Sequence, residues 1–216
     1  MKKKLRIIYF YGIDGTGKTT IAHELKQSLE QNGESIAYLW LRQFHIFAKC
    51  INAVGRLCGL SVKKQYDGGV CIGYHYYEKN NILAAVFKLA TMCDIVLTLI
   101  LFIYIPLIFT RKIIIIDRFL IDTVIDVCVD TKDEAFLKKA VVKTLMTMVL
   151  RHAKIVYVRT KTDEIIKRRP DIAYDETFDY RLSLYERTVE LFNVIVLDNN
   201  HTLTSVLQEL ISKLDG

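Results

Sequence analysis

One run of this chain, "KLRIIYFYGIDGTGKTTIAHELKQSLEQNG" at residues 4–33, leaves few folds open. An apolar stretch with strand character leads into a loop holding three glycines, a lysine and three threonines, and an amphipathic helix follows, ending near Gly33. Gly12, Gly17, Lys18 and Thr19 match G-x-x-x-x-G-K-[ST], a loop whose inward-pointing N–H groups cradle phosphate. The match falls between a strand and a helix, where that chemistry needs it. Glycines let the backbone curl, and the positive end of the helix dipole adds to the nest. The spacing therefore predicts that Gly12, Asp14, Gly15, Thr16, Gly17, Lys18, Thr19 and Thr20 hold a nucleotide phosphate, with Lys18 on the terminal phosphates and Thr19 on magnesium. Lys18 is expected to face solvent and to contribute little to the core.

Composition agrees with an enzyme in a reducing, cytoplasmic compartment. The 216 residues suit one domain, 1–216, and 51% hydrophobic content with two prolines gives no sign of a disordered region. Cys50, Cys58, Cys71, Cys93 and Cys128 are odd in number and include no C-x-x-C pair, so neither a disulfide framework nor a zinc site is indicated. The start resembles a signal peptide in charge, but its apolar part runs straight into the glycine loop without a small-residue cleavage site. A formal charge of +6 suits phosphorylated ligands. Beyond Lys2–Lys4 no concentrated basic run suggests a nucleic-acid track, and no nucleic-acid partner is expected.

Further along, "SIAYLWLRQF", "KIIIID", "KIVYVRT" and "FNVIVLDNN" read as strands alternating with helices, "FHIFAKCINAVGRL", "DEAFLKKAVVKTLMTMVL" and "TLTSVLQELISKL" among them. The segment "SVKKQYDGGVCIGYHYY" reads as a glycine- and tyrosine-rich loop, and a long helical region covers roughly 77–109. This alternation predicts an α/β fold, a parallel five-stranded sheet with helices on both faces and ligands at the carboxyl ends of its strands. Within the long helix, Ile95–Phe109 is an apolar core of 15 residues without a charge, interrupted by Pro106. That is short of the ~20 residues needed to cross a bilayer. No transmembrane span is expected. Burial between the sheet and a second copy, in a homodimer, is preferred to contact with a membrane surface.

"IIIIDRF" carries the second chemical element. It delivers Asp117 to the carboxyl end of a central strand, beside the glycine loop, where a carboxylate can act on hydrated magnesium. Arg118 follows and can hold an anionic acceptor. The plainer alternatives are a helix cap for Asp117 and a surface ion pair for Arg118.

"GIDGTGKTT" together with "DRF" resembles the thymidylate kinases, P-loop nucleoside monophosphate kinases with a three-layer α/β fold and a small mobile lid. The resemblance implies transfer of the ATP γ-phosphoryl group to dTMP, with ATP and Mg²⁺ required and a two-fold dimer. It implies that Asp14 contacts the deoxyribose side of the acceptor, and that Asp117 and Arg118 serve magnesium and the acceptor phosphate. "EIIKRRPDIAYDE" lies where the lid belongs, approximately 163–176, making Arg168 and Arg169 the catalytic arginines beside Lys18. Gly15 stands where some members carry an arginine, so positive charge is expected from the lid.

The chain departs from the family after "DRF", where "LIDTVIDV" replaces the usual serines and Tyr-Gln pair, and its preceding helix lacks the thymine-reading arginine. These features also resemble a divergent thymidylate-kinase-like group. Arg42, with Tyr74, Tyr76 and Tyr77, is a candidate for a different acceptor pocket, although packing is the commoner task of such tyrosines. "TKTD", Thr160–Asp163, resembles the guanine-reading motif of GTP-dependent switches, a competing reading for which no D-x-x-G switch segment lies between the glycine loop and that point.

Overall fold

The structure, a computed structural model, describes residues 6–42, 45–66, 69–150 and 153–215. Lys2–Lys4 lie outside them. In chain order the elements are β1 (Ile7–Tyr11), α1 (Lys18–Gln31), β2 (Ile36–Trp40), α2 (Phe47–Leu57), β3 (Ser61–Gln65), β4 (Cys71–His75) and α3 (Asn81–Phe109). There follow β5 (Ile113–Asp117), α4 (Leu120–Thr131), α5 (Ala140–Leu150), β6 (Ala153–Arg159), α6 (Thr162–Arg168), α7 (Phe178–Leu191), β7 (Ile195–Asp198) and α8 (Leu203–Asp215).

Five strands form one parallel sheet in the order β2-β5-β1-β6-β7. β1 and β5 are buried on both faces, which is why they read as near-continuous apolar runs rather than as alternating ones. The two-residue period still sorts their side chains. Ile8, Phe10, Ile113 and Ile115 face a layer made by α1 and α8, through Ile21, Leu25, Val206 and Leu210. Tyr9, Tyr11, Ile114 and Ile116 face the opposite layer, built from α3, α4, α5 and α7. β5 is an interior strand, as expected, lying between β1 in the middle of the sheet and edge strand β2.

The segment expected as a loop is a hairpin. β3 and β4 pair antiparallel, Ser61 opposite His75 and Lys63 opposite Gly73, closed by Tyr66 N–H on the Val70 carbonyl at 2.8 Å. Gly69 lies between the strands at φ +78° and Gly73 within β4, while Val62, Ile72 and Tyr74 retain strand spacing.

α3 is a continuous helix of 29 residues. Asn80 caps its start, its Oδ1 accepting from the N–H groups of Ile82 and Leu83. Pro106 does not end it. The helix widens to a π-helical stretch over Leu99–Tyr104 and resumes with the proline in the first turn of Ile105–Phe109, where a missing N–H costs least. By length and composition α3 could cross a membrane, so the expectation from a 15-residue core underestimates it. Its packing is that of a core helix on one side: Phe87, Thr91, Asp94, Ile95, Leu99 and Ile103 are buried. Asp94, midway along α3 and just before the Ile95–Phe109 run, accepts the N–H groups of Ile46, Phe47 and Ala48 and so caps α2. The other side of α3 exposes Val86, Leu89, Val96, Ile100, Leu101, Ile108 and Phe109.

Candidate functional site

All five parallel strands deliver their carboxyl ends to one edge, and the chemically distinctive residues gather there. β1 runs into the Gly12–Gly17 loop, β2 into Arg42, β5 into Asp117 and Arg118, β6 into Thr160, and β7 into Asn199.

The loop is built around glycine at positions that exclude a side chain. A Cβ on Gly12 would stand 2.7 Å from the Val158 carbonyl oxygen, and one on Gly17 would stand 2.4 Å from Asn199 Nδ2, with φ at +144° and +85°. The Thr16 carbonyl is pinned by Asn199 Nδ2 at 2.8 Å and by Thr160 Oγ1 at 3.2 Å. Thr16 Oγ1 in turn donates to the Ile13 carbonyl at 3.0 Å. At the start of α1, no side chain caps the first N–H groups and no acidic residue occupies the first turn. Those donors and the positive end of the dipole are open to an anion.

Lys18 departs from expectation. It is 2% exposed, with Nζ donating to the Ile13 carbonyl at 2.5 Å and to Thr16 Oγ1 at 3.3 Å. Burial first, and the Arg118 guanidinium second, bring its pKa down from 10.5 to about 7, against the pull of Asp122, Asp14 and Asp117. The ammonium lies folded across the loop that it was expected to project from.

Thr19 and Asp117 meet: Thr19 Oγ1 donates to Asp117 Oδ2 at 2.6 Å, and Tyr38 OH donates to the same oxygen at 2.8 Å. Asp117 is fully buried, and its Oδ1 has no hydrogen-bond partner among the described residues. A buried carboxylate oxygen left without a donor is costly, and a cation satisfies it. Thr19 Oγ1 and Asp117 thus form a donor set of hard oxygens suited to magnesium.

Asp14 accepts from Arg42 Nη1 at 2.8 and 3.0 Å and also pairs with Arg118 Nη2. Burial would raise its pKa, but Arg42, Arg118 and Lys18 outweigh burial and hold the carboxyl well below the usual range. Arg118 sits at φ +64°, a left-handed conformation that non-glycine residues enter at a cost, and its N–H donates to the Phe10 carbonyl at 2.9 Å. The guanidinium is thereby aimed back over the mouth of the loop. Asp14, Arg42 and Arg118, predicted separately, form one charged cluster.

Beneath it lies Asp122, which the sequence reading did not single out. Its carboxylate accepts from Tyr9 OH at 3.2 Å, Tyr185 OH at 2.9 Å and Phe119 N–H at 3.2 Å. Burial pushes its pKa up, opposed by Arg118, Lys18 and Arg42. The only signal in the sequence was its place three residues into a helix.

Arg168 and Arg169 close α6 beside the loop. Arg168 Nη1 reaches the Gly15 carbonyl at 3.4 Å, while Arg169 makes a two-pronged pair with Asp171 at 2.9 and 2.7 Å. A cavity of about 290 Å³ opens between Gly17, Thr20, Arg168, Asn199 and His201. A second, of about 260 Å³, extends from Arg42 between α2, α3, α4, β4 and α7. Tyr74, Tyr76 and Tyr77 do not line it: Tyr77 is buried, its OH on Asn52 Oδ1 at 2.8 Å, and its ring packs on Phe87, the packing task.

Compared with known proteins, the chain matches no family model and no curated sequence.

Proposed function

We propose that this chain is an ATP-dependent nucleoside monophosphate kinase of P-loop type. The observation that carries the reading is the meeting of Thr19 with the fully buried Asp117, whose second carboxylate oxygen lacks a donor, beside a glycine loop with uncapped helix N–H groups. Among the described residues no three His, Cys, Asp or Glu side chains cluster as a metal cage. Magnesium is commonly held by one or two protein groups together with substrate phosphates, which fits Thr19 and Asp117. When bound there, the ion neutralises charge on the phosphates.

The rest is work for this chain's own residues. The N–H groups of Gly15–Thr20 and Lys18 hold the ATP phosphates, with Thr20, Asn199 and His201 along the 290 Å³ cavity beside them. Arg118 and Arg42 exchange part of their bonding to Asp14 for the acceptor phosphate, and an acceptor oxygen then attacks the γ-phosphorus as the bond to the departing ADP oxygen breaks. Arg168 already touches the loop and supplies positive charge to the transferring group; Arg169 joins it on leaving Asp171. The 163–176 segment serves as the lid that excludes water. Motif resemblance makes dTMP the first acceptor to assay. Self-association through the exposed side of α3 and a cytoplasmic setting complete the proposal.

The test is ADP formation from Mg-ATP with and without a panel of nucleoside monophosphates. Turnover that requires an acceptor supports the kinase. Slow hydrolysis of GTP without any acceptor would favour the switch reading of Thr160–Asp163; there, however, Thr160 Oγ1 is already committed to the Thr16 carbonyl.

A further inference from the structure

Asp117 is held by a tyrosine that the phosphate loop itself does not call for. Tyr38 stands on edge strand β2, opposite Ile115 of β5 and so two residues below the level of Asp117. What it does there rests on the kinase reading in one respect: Thr19 and Asp117 take a metal ion beside nucleotide phosphates.

Tyr38, Ile115 and, by the two-residue period of the strand, Asp117 all point to the α1 face of the sheet. The Tyr38 ring lies on His23 of α1, with centroids 4.4 Å and planes 25° apart. His23 is one helical turn beyond Thr19, on the same side of α1. Tyr38 is only partly buried, at an edge of the sheet where water can satisfy a hydroxyl. Its hydroxyl turns inward instead and donates to Asp117 Oδ2 at 2.8 Å.

The two oxygens of Asp117 are thereby made unequal. Oδ2 accepts from Thr19 Oγ1 at 2.6 Å and from Tyr38 OH, which fills both of its lone-pair positions. Oδ1 is buried and accepts from none of the described residues. A single hydrogen bond from Thr19 would leave the carboxylate free to turn about its last bond, because that torsion is broad. A second donor, brought in from a different element, removes the freedom. Asp117 can then offer a cation one oxygen and not two. Thr19, having given its hydrogen to Oδ2, presents lone pairs alone.

That restriction separates two ions. Magnesium keeps several waters, is bound through few protein oxygens and tolerates little distortion; calcium takes more oxygens in looser geometry and accepts both oxygens of one carboxylate. We propose that Tyr38 is a positioning residue that sets metal specificity: its hydroxyl locks Asp117 as a one-oxygen ligand and so favours magnesium over calcium.

The test uses the whole protein with ADP and Mn²⁺, following free Mn²⁺ by electron paramagnetic resonance while Mg²⁺ or Ca²⁺ displaces it, with ADP alone as the blank. Tyr38→Phe keeps the ring on His23 and removes only the donor. The expected result is a loss of Mg²⁺ affinity of about tenfold, the low end for removal of a group that orients a metal ligand. Ca²⁺ should lose less or gain, so that the preference for Mg²⁺ shrinks severalfold. His23→Ala leaves the hydroxyl but takes away the ring against it, and should shift the preference the same way by a smaller factor; it decides alone if Tyr38→Phe fails to fold. A tyrosine that only packs would change thermal stability and leave the preference where it was. An unmoved preference, or no Mn²⁺ held by the native protein beyond the blank, overturns the proposal. The kinase reading fails separately: a preference that shrinks in Tyr38→Phe, without ADP formation from Mg-ATP and any nucleoside monophosphate, removes the kinase and keeps the role of Tyr38. Acceptor-dependent ADP formation with an unmoved preference does the reverse.

Discussion

Lys18 gives the sharpest test of the loop. In the free protein it is buried with its pKa brought down to about 7, so at pH 8 the amine is mostly neutral. A bound triphosphate brings negative charge next to Nζ and restores the ammonium. Binding must then take up a proton: with the free group at about 7, roughly 0.9 proton enters per nucleotide at pH 8. The same linkage makes affinity fall about fivefold between pH 7 and pH 8, if the bound group returns to its ordinary range. For the unliganded fold the sign is opposite to that of a salt-bridged lysine. The unfolded chain binds the proton that the native chain rejects, so stability rises with pH from about 7 to 10.5. Calorimetry of Mg-ATP binding at pH 8 in buffers of different ionisation enthalpy measures the uptake. Lys18→Met, which keeps an unbranched chain in the buried slot, should abolish it and most of the phosphoryl transfer. Zero uptake in the native protein, or undiminished uptake in the variant, would refute the reasoning.

Arg118→Ala should raise the apparent KM for the acceptor by about 10- to 100-fold, the range for a hydrogen bond between charged groups, with a much smaller change for ATP; equal effects on both would take Arg118 out of the acceptor site. Asp94→Ala leaves three N–H groups of the α2 start without their acceptor, and chemical denaturation should show a loss of about 2–4 kcal/mol; a loss under about 0.5 kcal/mol would mean the cap is replaced by water. Leu101→Glu puts a charge on the exposed side of α3 and should convert dimers to monomers in sedimentation at micromolar concentration. A native protein that sediments as a monomer and ignores lipid vesicles contradicts the proposed dimer, and vesicle binding would favour a membrane-surface role.

What was legible in the sequence follows from how local each signal is. The strand–loop–helix run and "IIIID" carry their structure in consecutive residues, and parallel strands bring their carboxyl ends together, so Asp14, Thr19, Asp117 and Arg118 converge as expected. Arg42 joins them because β2 pairs directly with β5. Burial of Lys18 was not legible. It depends on the loop folding back so that the Ile13 carbonyl receives Nζ, a tertiary arrangement with no trace in spacing. Asp122 and Asp94 look like stray acids in apolar helices. Only the arrival of Tyr9 and Tyr185 at one, and of the α2 N-terminus at the other, gives them their tasks. The β3–β4 hairpin was hidden by the glycines and by Lys63, Lys64 and Cys71, polar or exposed residues that a two-stranded sheet with one free face tolerates.

Gly15 carries a consequence for how this chain can vary. A Cβ there would lie 3.1 Å from Ile165 Cγ2 and 3.4 Å from Arg169 Cγ, with the Ile165 carbonyl equally near. A side chain at position 15 would ask the Ile165 methyl to give by a few tenths of an ångström, at a backbone φ of +87° that residues other than glycine enter at a cost. Substitution of Gly15 is thus resisted by the loop's own backbone as well as by the close seating of α6 against it.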